Sequence, residues 1–138
     1  MTRTCTKVYE KAKELLKARL ADHTYLTDED QSYYLYQLTM DGRSQTGIVS
    51  CCSIDDYVSG VIKKHENTRE EKEQDRIRHV DVMNAQTGPI FLAYRQNEVL
   101  GQIMEQVMLE RPLYDFVSED GIGHRVWSIV LLVIIAIL

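Results

Sequence analysis

The chain has 138 residues, of which 44% are apolar and 27% charged, with a net charge of −5. That is one domain's length, with enough apolar residues for a modest core and too many for a disordered chain. The acidic balance excludes a broad phosphate-attracting field, and general nucleic-acid binding with it, while leaving room for a local basic pocket.

Chain order begins with "TKVYEKAKELLKARLADH", where Val8, Ala12, Leu15 and Leu16 recur at helical spacing and predict an amphipathic helix. "SYYLYQLTM" alternates, placing Tyr34, Tyr36, Leu38 and Met40 on one side, and "SQTGIVSCCSI" follows Asp41-Gly42. Two β-type runs around an Asp-Gly pair predict a hairpin. Cys5, Cys51 and Cys52 form no CxxC pair and no secretory signal is read, so a reduced, cytoplasmic protein is expected. Taken as strand residues, Cys51 and Cys52 face opposite sides, so neither a disulfide nor a shared metal is expected.

"DDYVSGVI" predicts a short helix that opens on capping aspartates and ends near Gly60. Between Lys63 and Arg76 there is no apolar side chain. Asn67 or Thr68 can cap a helix there, with Glu70 and Glu71 three residues after each, and Ile77, Val80 and Met83 supply an apolar stripe. "GPIFLAYR" predicts a buried strand. "NEVLGQIMEQVMLERP" predicts a helix with Val99, Ile103, Val107 and Met108 inward, and "LYDFVSEDGIGHRVWSIV" a second hairpin turning at Asp120-Gly121. The order α-β-β-α-α-β-α-β-β is an α+β arrangement of helices on a small mixed or antiparallel sheet. The apolar run at the C-terminus covers about 13 residues, short of the ~20 a membrane helix needs, and reads as an unfinished or buried strand open to self-association.

On spacing alone, the charged run is a solvated helix face, with Arg69 and Glu73 as a surface pair. His23 and His124 have no partner pattern and read as bystanders.

Three stretches change that weighting. "IKKHE-x-TR-x-x-KE-x-DR-x-x-H", "NA-x-TGPIF-x-x-Y" and "EDG-x-x-H-x-VW" resemble the bacterial family called domain of unknown function ten-fifteen, some of whose members carry a ParB-like label. The resemblance spans about residues 6–127 and leaves 128–138 as an apolar tail. It implies a single, partial ParB/sulfiredoxin-like domain, an internal fragment lacking a later Asp-Gly-His-His-Arg motif. The order of elements also resembles the free-serine kinases of that superfamily. The resemblance then implies nucleotide-dependent phosphoryl transfer to a small hydroxyl substrate such as free L-serine, inactive in a truncated chain. Glu66 would be the base, and His65 would orient it or a phosphate. Lys63, Lys64, Arg69, Arg76 and His79 would face ATP or ADP with Mg²⁺, and Asp81 stands behind them. The alternative is a ParB-like nucleotide-binding or partner-binding module without catalysis. Neither reading involves nucleic acid or a membrane span.

Overall fold

A computed structural model describes residues 6–65, 67 and 69–130. The fold is α+β: the described residues form four helices and a four-stranded antiparallel sheet carrying two hairpins. The chain divides into two compact units: the residues up to Asp28 with Asp55–Ala93, and Glu29–Ile54 with Tyr94 onward.

The first unit holds α1 (Thr6–Ala21), α2 (Ile54–Val58, which starts one residue before the boundary) and α3 (Glu70–Met83). α1 packs on α3. Its inward side is Tyr9, Ala12 and Leu16, with Lys13 half-buried beside them, whereas Val8 and Leu15 are exposed. On α3 the inward side is Asp75, His79, Val82 and Met83, while Ile77 and Val80 remain exposed. Both stripes are therefore rotated from the expected ones. The cause is Tyr9: its large ring is buried, and its hydroxyl donates to the Asp75 carboxylate, which draws polar positions of α3 inward.

The helix ends obey backbone chemistry. α1 closes on His23 in the left-handed region (φ 59°), with His23 N–H donating to Leu20 O and Tyr25 N–H to Arg19 O. α2 closes likewise on Gly60 (φ 77°), with Gly60 N–H donating to Tyr57 O and Ile62 N–H to Asp56 O. Asp55 and Asp56 lie in its first turn, where they complement the helix dipole, rather than at the cap. α3 begins after Arg69, an extended residue that makes no side-chain capping bond, so Asn67 is not the cap; Thr68 lies outside the described residues. Asn84 ends α3 in the left-handed region, its N–H on Val80 O.

In the second unit the strands are β1 (Ser32–Met40), β2 (Arg43–Val49), β3 (Tyr114–Val117) and β4 (Gly123–Val130), in the order β2-β1-β4-β3. Met40 pairs with Arg43, so Asp41 and Gly42 alone make the first turn; both have positive φ, 51° and 74°. That is the type I′ geometry matching strand twist. α4 (Glu98–Met108) covers one face, capped by Asn97, whose side chain accepts from Leu100 N–H at 3.0 Å. Leu35 is fully buried there with Val107, Trp127 and Ile129, and Ile48, Ile103, Met104 and Met108 close around them. Leu35 lies opposite Trp127 on one side and Ile48 on the other. Burying each such side chain is worth about 1.5–3 kcal/mol. Of the expected α4 stripe, Val99 is exposed and half-buried Leu100 takes its place.

The predicted strand at "GPIFLAYR" does not form. Gly88–Arg95 is irregular, with Ile90 and Phe91 75% and 81% exposed. An apolar run becomes a strand only by acquiring ladder partners, and Pro89 has no N–H to offer one. Cys51 and Cys52 also fall outside the strand expected to hold them, since β2 ends at Val49. Residues 131–138 of the apolar tail lie outside the described residues, and no described helix is long and apolar enough to cross a membrane.

Candidate functional site

The charged run starts in irregular backbone. From Gly60 the chain leaves α2, and Lys63, Lys64, His65 and Arg69 are all exposed before α3 begins. Lys64 is anchored, its Nζ 5.3 Å from the centre of the Tyr57 ring on α2. Hydrogen bonding to the Tyr57 side chain, reinforced by that group's charge, raises the Lys64 ammonium above its ordinary range. Glu66 lies outside the described residues.

Arg76 lies two turns into α3 and is exposed, whereas Arg69 precedes the helix in extended backbone. His79 is turned elsewhere: it is half-buried, with its ring centroid 6.1 Å from that of Tyr9 and tilted 46°. Asp81 is exposed. The structure therefore leaves Arg69 and Arg76 exposed and sets His79 against α1. Glu70, Glu71 and Glu73 occupy the first turn of α3 and already complement its dipole, so cationic side chains rather than helix N–H groups are what this region offers an anion. Among the described residues no group of three or more His, Cys, Asp or Glu side chains could hold a metal ion.

Sequence reasoning missed a second constellation. His124 on β4 is held from both ring nitrogens: Nδ1 lies 2.7 Å from the Tyr36 hydroxyl on β1, and Nε2 lies 2.9 Å from Ser118 Oγ after β3. Ser118 Oγ in turn donates to Asp120 Oδ1 at 2.5 Å. One proton arrangement serves the chain from Tyr36 to Asp120: Tyr36 O–H donates to Nδ1, Nε2–H to Ser118, and Ser118 O–H to Asp120. Phe116 stacks on the imidazole at 4.8 Å and 11°. The hydrogen bond from Ser118, then that from the Ile122 backbone, hold the Asp120 carboxyl below its ordinary range.

A serine beside a histidine invites comparison with an activated nucleophile, but the geometry opposes it. Ser118 Oγ already has Asp120 Oδ1, His124 Nε2 and Ile122 O, at 3.0 Å, around it. Ser118 gives its proton toward Asp120 or Ile122 O and takes one from Nε2–H, so the imidazole holds no lone pair toward Ser118 with which to act as its base. The cluster is a brace joining β1, β4 and the β3–β4 turn. Its sequence signal is faint: Ser118 and His124 stand near-symmetrically about Asp120-Gly121, but Tyr36 lies 88 residues from His124.

An open groove of about 410 Å³ runs along α4 between Tyr94, Asn97, Glu98, Gly101, Gln102 and Glu105. No residue of the charged run lines it.

The family model described as "Protein of unknown function (DUF1015)" matches residues 2–135. No curated protein and no solved structure matches the chain. The chain belongs to the DUF1015 family.

Proposed function

We propose that residues 63–81 form the phosphate-facing side of a nucleotide-dependent phosphoryl-transfer site acting on a small hydroxyl substrate such as free L-serine. The observation that carries the reading is the irregular stretch before α3, where Lys63, Lys64, His65 and Arg69 stand exposed within a few residues, with Arg76 exposed further along α3. A phosphoryl group in flight needs positive charge around its oxygens and an oriented hydroxyl, and little else from the protein. In this reading Lys63, Lys64, Arg69 and Arg76 take phosphate oxygens of ATP or ADP. Glu66 accepts the substrate proton, His65 orients Glu66, and His79 supports the wall of the site from the α1 side. Magnesium would arrive on the nucleotide and would neutralise phosphate charge.

Titrating ADP and ATP, each with magnesium, into the chain tests the binding half. Arg69→Ala should weaken binding by roughly 1.5–3 kcal/mol, the worth of a charged hydrogen bond, and Lys63→Ala/Lys64→Ala should weaken it further at low salt. Unchanged affinity in all these variants would refute the phosphate-facing role. The catalytic half rests on phosphoserine formation from L-serine and its loss in Glu66→Gln. Nucleotide binding without turnover would favour a switch module of the ParB-like kind.

A further inference from the structure

Cys51 and Cys52 are both exposed and free, in irregular backbone between the end of β2 and the start of α2. Off the strand, the alternation that sends neighbouring side chains to opposite faces no longer applies. Across a trans peptide the two Cα atoms stand about 3.8 Å apart, closer than the roughly 4.4–6.8 Å that a disulfide prefers. A direct S–S bond would thus be strained, and a strained disulfide is readily reduced. Inserting one large, soft atom between the sulfurs lengthens the bridge and removes that constraint. No third His, Cys, Asp or Glu completes a metal-binding group among the described residues. The pair therefore suits a thiophilic centre satisfied by two thiolates, and not zinc, which takes four ligands in closed sites.

We propose that Cys51 and Cys52 form a bidentate site for soft, thiophilic centres of low coordination, such as a mono-substituted trivalent arsenical. With an arylarsenoxide the two thiols form two As–S bonds, the As–O linkage is lost, and its oxygen leaves as water carrying both thiol protons. No oxidation state changes. The inference is independent of the nucleotide reading.

The test uses phenylarsine oxide on the full chain carrying Cys5→Ser, so that these are the only two thiols. One equivalent should remove both thiols from reaction with a chromogenic disulfide reagent. A dithiol should reverse the adduct, whereas an equal concentration of a monothiol should not. Cys51→Ser and Cys52→Ser should each lose roughly 100-fold or more in affinity, because the second As–S bond gains from effective concentration. Both positions are exposed, so circular dichroism should show the variants folded as the parent is. Two arsenicals bound per chain, or single variants binding as tightly as the pair, would overturn the proposal.

Discussion

Two glycines allow one chemical change to be read with opposite signs. Neither Gly42 nor Gly101 has an atom within 4 Å of where a Cβ would stand, so adding a methyl group costs nothing in clashes at either site. What differs is the backbone. Gly101 lies inside α4, where alanine is favoured over glycine by about 0.8–1.0 kcal/mol. Gly42 sits at φ 74° in the two-residue turn, where an L-residue costs about 1–2 kcal/mol, offset by about 0.4–1 kcal/mol from the stiffer unfolded chain. Gly101→Ala should therefore stabilise by about 1 kcal/mol, and Gly42→Ala should destabilise by about 0.5–1 kcal/mol. Urea unfolding resolves that gap, and thermal scans should place the midpoints on either side of the parent by about 3–5 °C per kcal/mol. If both substitutions moved stability in the same direction, the assignment of the effect to backbone conformation alone would fail.

Leu35→Ala removes the fully buried side chain at the centre of the sheet and should cost about 2–5 kcal/mol, measured by the shift of the urea midpoint at constant slope. Asp120 has a folded-state pKa below its ordinary value, so the stability it contributes is present above the unfolded pKa near 3.8 and is lost as pH falls through the lower folded value. Protection of the Ile122 amide, relative to its intrinsic exchange rate, should fall over that acid window, and Asp120→Asn should flatten the acid limb; an unchanged limb would contradict the linkage.

Where a local rule decided the outcome, the sequence was readable. Asp41-Gly42 and Asp120-Gly121 marked both hairpins because turn chemistry needs no distant partner. The inward faces of α1 and α3 were legible only in part, through Ala12, Leu16 and Met83, because both helices carry apolar residues on more than one side, and only the burial of Tyr9 and its bond to Asp75 selects between them. "GPIFLAYR" failed as a strand because apolarity records a preference for burial without naming a partner. At the candidate site, the exposure of Lys63, Lys64 and Arg69 followed from the absence of apolar neighbours. The inward turn of His79 did not, since it depends on a residue 70 positions earlier. His124 was invisible for the same reason: a histidine between alternating strand residues acquires meaning only when Tyr36 and Phe116 arrive on either side.

The strand order also has a consequence for synthesis. β1 and β2 leave the ribosome together and can pair at once, but β1's other neighbour is β4, which follows much later in the chain. With roughly 80 residues between them and translation at about 5–20 residues per second, β1 waits on the order of 4–16 s with one row of N–H and C=O groups unpaired. During that interval Leu35 has Ile48 beside it but neither Trp127 nor Ile129. The nascent hairpin's open edge on β1 is thus exposed to mispairing between neighbouring polysomal chains, a hazard set by the order of translation and closed at that edge once β4 has docked.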